Sequence, residues 1–158
     1  MNDSEKIALE SGDKAPDFSA LDHQGNLISL SGFAGKKLIL YFYPKDNTPG
    51  CTAEACGLRD NYALLKDKGF DIVGVSADDA RSHKNFSEKF GLPFPLIPDS
   101  GKEILRSYGA WGPKKLYGRE YEGILRKTFV IDEKGNIMHI ISKVDTKDPA
   151  GQILKLFK

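Results

Sequence analysis

Apolar residues fall along this chain in alternating strand-like and helix-like rhythms. Lys37 to Tyr43 (KLILYFY) is nearly continuous apolar and aromatic sequence between Gly35 and Pro44, which predicts a strand buried on both faces. From Thr52 to Lys68 the residues Ala55, Leu58, Tyr62 and Leu65 recur at helical intervals before Gly69, predicting a helix. Phe70 to Ala77 (FDIVGVSA) predicts a second strand, Asp79 to Phe90 a helix stopped by Gly91, and Phe94 to Ile97 a short strand between prolines. Lys102 to Tyr108 reads as a short helix. Lys127 to Ile131 and Ile137 to Val144 flank the turn-rich Asp132-Glu133-Lys134-Gly135-Asn136 and predict an antiparallel hairpin. Asp148-Pro149 then opens a last helix in N-cap and N1 style.

Two stretches lack a clear rhythm. The segment from Gly12 to Leu27 reads as short strands about a turn, an irregular β appendage. Ala110 to Gly123 reads as a glycine-containing loop in which Trp111, Tyr117 and Tyr121 are interleaved with basic residues. Strands alternating with helices, then a hairpin and a final helix, predict an α/β fold with a mixed central sheet covered by helices on both faces.

Length and charge narrow the function. A chain of 158 residues fits one domain, 1–158, and chains of this size hide roughly 70% of their unfolded surface without needing staples. The net charge of +1, with lysines and glutamates interspersed, offers no basic stripe for nucleic acid and no acidic tail. The first residues carry early acids and no long apolar stretch, so the expectation is a cytoplasmic protein without secretory signal or membrane span. His23, His83 and His139 are scattered over a turn, a helix and a strand, a spacing that predicts no metal site.

The chemistry concentrates at the two cysteines, Cys51 and Cys56, just after Pro44-Lys45-Asp46-Asn47-Thr48-Pro49-Gly50 and at the predicted start of a helix. A thiol reacts as its thiolate, which the free N–H groups and positive dipole end of a helix N-terminus favour. Thr48, three residues before Cys51, places a hydroxyl where it can meet a thiolate or an incoming oxygen, and Pro44 closes the strand where it can shield the sulfur from water. In an intact helix residues five apart stand roughly 8.6 Å apart at Cα. Disulfides rarely exceed about 7 Å. A Cys51–Cys56 bond therefore requires the start of this helix to unwind, and the pair reads as a conformational switch. Two plainer readings stand beside it: a permanent staple, whose short loop stabilises by only roughly 2 kcal/mol, and a buried apolar Cys56 beside an incidental Cys51.

Pro44-x-x-x-Thr48-x-x-Cys51, with Glu54 three residues on, resembles the active-site signature of peroxiredoxins. Ala15-Pro16-Asp17-Phe18, Cys56, Trp111-Gly112, Tyr121-x-Gly123 and Arg126 to Asp132 extend the likeness over almost the whole chain, to the bacterioferritin comigratory protein or peroxiredoxin Q subfamily. The resemblance implies a thioredoxin-like fold and reduction of hydrogen peroxide and organic hydroperoxides. It assigns Cys51 as the peroxidatic thiolate, Cys56 as the resolving thiol, and Thr48 and Arg126 as the groups that orient the peroxide, with Pro44 in the same motif. Glu54 is supporting, since an acid in a first helical turn already has a dipole explanation. The resemblance also implies thioredoxin or a similar dithiol as reductant, no cofactor, and a monomer. Two competitors remain at this level: a thiol-disulfide oxidoreductase, against which the absence of C-x-x-C argues, and a redox-sensing binding protein that uses the same unwinding.

Overall fold

A computed structural model describes residues 8–157. A five-stranded sheet forms the centre, built from β3 (Lys37–Phe42), β4 (Phe70–Ser76), β5 (Leu96–Pro98), β8 (Lys127–Ile131) and β9 (Ile137–Ile141). Its order is β5-β4-β3-β8-β9, with β3, β4 and β5 parallel and β8 and β9 antiparallel to their neighbours. The apolar run at Lys37 becomes the middle strand, paired on both edges and covered on both faces. From Leu38 to Phe42 every residue is buried.

Alternation along β3 sorts the core into two layers. Leu38, Leu40 and Phe42 face one layer with Ala15, Phe18 and the helix α4 (Glu103–Ser107). Ile39, Tyr41 and Tyr43 face the other, with α1 (Pro49–Asp60), α2 (Tyr62–Asp67), α3 (Ala80–Phe90) and α5 (Pro149–Lys155). Each such large side chain, fully buried, contributes about 1.5–3 kcal/mol. Gly57 marks the closest helix contact: a Cβ there would lie 2.8 Å from Pro149 Cδ, so its hydrogen lets α1 and α5 touch. The N-terminal appendage is a two-stranded ribbon, β1 (Ser19–Leu21) with β2 (Leu27–Ser29), as expected.

Several predicted boundaries shift, each for a physical reason. The helix expected over Thr52 to Lys68 starts earlier, at Pro49, and breaks at Asn61, whose side chain donates to the Gly57 carbonyl at 2.9 Å. The segment expected to be a loop is instead a hairpin, β6 (Trp111–Leu116) with β7 (Arg119–Ile124), turned through Tyr117 and Gly118 at φ 53° and 78°. Both central residues at positive φ suit a tight hairpin turn. Most of its side chains are exposed, so backbone pairing holds it together and no apolar alternation marks it. The strand predicted to reach Val144 stops at Ile141, beyond a register shift at Val130/Ile131. Among the described residues no helix is long and apolar enough to cross a membrane.

Candidate active site

The middle strand delivers the chain to the site. After Tyr43 and Pro44 the backbone turns through Asn47 at φ 62°, a left-handed conformation that asparagine tolerates. Thr48 is extended and caps α1, and Pro49 occupies the first helical position, where its missing N–H costs nothing. Cys51 is the third helical residue. The first intrahelical bond runs from the Thr52 N–H to the Thr48 carbonyl at 2.8 Å, so the N–H groups of Gly50 and Cys51 have no partner within the helix.

Arg126 arrives from the other end of the chain. Phe42 pairs with Lys127 across β3 and β8, which sets Arg126 beside the end of β3. Its Nη2 reaches Cys51 Sγ at 3.3 Å and its Nη1 reaches Glu54 Oε1 at 2.7 Å. One guanidinium fork thus spans two side chains of a single helical turn. Gly50 permits the approach: a Cβ there would stand 3.3 Å from Nη2.

Burial sets the electrostatics. Cys51 is 1% exposed and Glu54 is fully buried. Desolvation pushes the Glu54 carboxyl up to about 7, even though Arg126 beside it pulls the other way. Burial opposes the Arg126 charge as well, but Cys51 and Glu54 together hold its pKa above the ordinary value. The two shifts differ in kind: Arg126 keeps its charge because it has two partners, whereas Glu54 has one. Its Oε2 is buried with no partner among the described residues, and so is the nearby Tyr41 hydroxyl.

Of the residues expected at the site, Cys51, Glu54 and Arg126 meet directly. Thr48 is adjacent, but its hydroxyl donates to the Lys45 carbonyl at 2.8 Å and not to the sulfur, leaving its lone pairs as acceptors. Pro44 is half-buried at the strand end. Cys56 is half-buried further along an unbroken α1, and both cysteines are free.

A second cluster, absent from the sequence reading, lies on the other side of the same loop. Asp46 is buried, with Oδ1 accepting from Tyr43 Oη at 2.6 Å and Oδ2 accepting from Ser82 Oγ at 2.8 Å and facing His83 Nδ1 at 2.7 Å. Ligand-type atoms of Asp46, Asp78 and His83 lie within 4.8 Å of one another, and hydrogen bonds already engage them. Burial alone would raise the Asp46 pKa, but the bonds from His83, Tyr43 and Ser82 outweigh it and hold the carboxyl below its ordinary value. Only the pair Ser82-His83, polar residues on a helix with an apolar stripe, could have hinted at this.

Residues 11–140 match the AhpC/TSA family. A putative peroxiredoxin bcp of Coxiella burnetii is 41% identical over 148 residues, covering 94% of this chain and 98% of its own. A mutant of Xanthomonas campestris peroxiredoxin Q superposes with a TM-score of 0.86 at 33% identity, covering 94% of this chain and 98% of the other. The bacterioferritin comigratory protein of the same organism, solved as a trapped intermediate and ligand complex bearing on alkyl peroxide reduction, has a TM-score of 0.85 at 32% identity, covering 93% and 96%. The chain shares the thioredoxin-like fold of these relatives and belongs to the peroxiredoxins, thiol peroxidases of the AhpC/TSA family, in the bacterioferritin comigratory protein and peroxiredoxin Q branch.

Proposed function

We propose that the chain reduces hydrogen peroxide and organic hydroperoxides through Cys51, with Cys56 as the resolving thiol and a thioredoxin-type dithiol as the reductant. The observation that carries this reading is the Arg126 guanidinium 3.3 Å from Cys51 Sγ at a helix start with free N–H groups. Both features favour a thiolate and await an anionic leaving oxygen.

The Cys51 thiolate attacks one oxygen of the O–O bond. An S–O bond forms, the O–O bond breaks with its electron pair, and the departing hydroxide or alkoxide takes a proton to leave as water or alcohol. Arg126, the Cys51 N–H and Thr48 orient the peroxide and meet the developing charge. Cys51 is now a sulfenic acid. The first turns of α1 unwind, the Cys56 thiolate attacks the Cys51 sulfur, and an S–S bond forms as hydroxide leaves and is protonated to water. An external dithiol returns two electrons and two protons. Sulfur carries the redox change throughout, and the chain acts as a cytoplasmic monomer.

Stopped-flow mixing of the reduced protein with hydrogen peroxide, followed by mass analysis, tests the reading. Fast stoichiometric loss of peroxide with a two-hydrogen mass decrease is expected. Cys51→Ser should abolish peroxide consumption, and Cys56→Ser should keep the first oxidation while losing thioredoxin-linked recycling. Normal recycling by Cys56→Ser would remove Cys56 from its role, and oxidation without turnover would favour a sensor. Sedimentation gives the subunit state.

A further inference from the structure

The Asp46–His83 pair belongs to none of the steps above, yet it is among the most completely buried polar contacts here. His83 is 0% exposed, and its Nε2 faces the Ile97 carbonyl at 3.1 Å. A carbonyl only accepts, so Nε2 carries a hydrogen. Nδ1 faces Asp46 Oδ2, which already accepts from Ser82, while Oδ1 accepts from Tyr43. The carboxyl thus has a partner on each oxygen and the ring a partner on each nitrogen. The Asp46 and Asp78 carboxyl groups both lie within 4.8 Å of the ring.

What this pair holds is the loop before Cys51. The Asp46 N–H donates to Asp78 Oδ2 at 2.8 Å, Ser76 Oγ donates to the same oxygen at 2.9 Å, and Lys89 Nζ donates to Asn47 Oδ1 at 3.4 Å. The Tyr43 N–H donates to the Val75 carbonyl at 3.1 Å. Residues 43–47 are thus tied to β4, α3 and β5. Beyond Thr48, side-chain hydrogen bonds from Cys51 and Glu54 reach Arg126 alone. The boundary between the two regimes falls at Asn47, left-handed, and Thr48, extended.

We propose that Asp46 and His83 are positioning residues of the peroxidase site, a buried hydrogen-bonded clamp that fixes the loop carrying Thr48 so that unwinding begins after it and leaves the peroxide-orienting groups in place. This rests on the peroxidase reading for its kinetic consequence but not for its structural one. The groups facing the His83 ring are Asp46 from the loop, Tyr43 from the end of β3, Asp78 after β4, Ser82 on α3 and the Ile97 carbonyl on β5, while Arg81 and Lys89 line the cleft outside Asp46.

Two measurements test the clamp. In His83→Gln the rate of Cys51 oxidation by hydrogen peroxide should fall about 10- to 100-fold, the cost of a misplaced orienting group. The pH profile of Cys51 alkylation by iodoacetamide should stay unchanged, because Arg126 still holds the sulfur. A peroxide rate within about twofold of the parent overturns the proposal, since misplacement of the loop should cost far more. So does an alkylation profile that moves with it, since that marks a general loosening. Should His83→Gln not fold, or the chain consume no peroxide, amide exchange in the unmutated protein decides. After oxidation with diamide, the Thr52 amide should lose at least about tenfold of its protection while the Asp46 amide keeps its own. Loss of both together, or of neither, overturns the clamp.

Discussion

Two buried ionic clusters flank the turn between β3 and α1, and they are provisioned in opposite ways. Asp46 has Tyr43, Ser82 and His83 on its two oxygens, and its pKa is held down despite burial. Glu54 has Arg126 on one oxygen and, among the described residues, no partner on the other, and its pKa is pushed up to about 7. Burial raises both carboxyls, and more so at the deeper Glu54; at Asp46 the three donors outweigh it, while at Glu54 the single guanidinium does not. A saturated cluster holds its loop still. The other cluster shares a single guanidinium between a carboxyl and a sulfur, which on the proposed mechanism is the cation that meets an incoming peroxide.

The sharpest way to break this comparison is to remove a partner from the saturated side. Asp46→Asn removes the carboxylate from the His83 ring and sets an amide N–H₂ against hydroxyl donors. Breaking a buried pair in this way costs about 3–5 kcal/mol, to be read as a lower urea midpoint at constant m-value. A loss below about 1 kcal/mol, the level of an exposed pair, would mean that the cluster is not saturated at all.

The donor-poor side predicts a pH dependence. With the native Glu54 carboxyl at about 7 against an ordinary 4.5, the folded chain binds a proton that the unfolded chain has released over that interval. Stability is therefore greatest below pH 4.5 as far as Glu54 is concerned, and falls as pH rises toward 7, by roughly 3 kcal/mol for a group this buried. Glu54→Gln abolishes that fall, so the difference between the stability curves of parent and variant isolates it. Asp46 does not interfere, because its lowered pKa places its contribution at lower pH: present above its ordinary 3.8 and lost as pH drops through the folded value. A parent curve that parallels the variant between pH 4.5 and 7 would put Glu54 on the same footing as Asp46.

Arg126→Lys probes the sharing itself. An ammonium is a single point and cannot span Sγ and Oε1 as the planar fork does. Peroxide reduction should slow about 100-fold, the scale for losing one oriented donor at a developing oxyanion, while the fold is retained because the charge remains. A rate near the parent's would show that one cation suffices without the fork.

Most of the scaffold was legible because its signals are local. The run at β3, the Asp79 cap accepting from the Ser82 N–H, the left-handed Gly91 after α3 and the Asp148-Pro149 start of α5 each act within a few residues. The β6–β7 hairpin was not, since two largely exposed strands leave no alternation to read. At the site, Cys51 stands out by its place at a helix start, and Glu54 and Arg126 through motif resemblance, although 75 residues separate Cys51 from Arg126. His83 lies 37 residues from Asp46 and reads as one of three scattered histidines, because a contact made by the pairing of β3 with β4 has no periodicity of its own. The Thr48 hydroxyl turned to Lys45 because the backbone of the loop offers it a nearer acceptor.

Tyr41 supplies the smallest effect and the finest test. Its ring is held between Tyr43, with centroids 5.4 Å apart, and Phe94 at 6.0 Å, so Tyr41→Phe keeps the packing and deletes only the hydroxyl. That hydroxyl is buried and unpartnered among the described residues, and burial beside Glu54 and Cys51 raises its pKa well above the ordinary range. A neutral donor left without an acceptor forfeits its hydration on folding, so its removal should leave stability unchanged or raise it by up to about 1 kcal/mol. A loss of more than about 1 kcal/mol would instead show that the hydroxyl has a partner, such as a buried water bridging to the free Glu54 oxygen. The reactive cluster would then be as fully provisioned as the clamp, and the high pKa of Glu54 would have to come from desolvation alone and not from a shortage of donors.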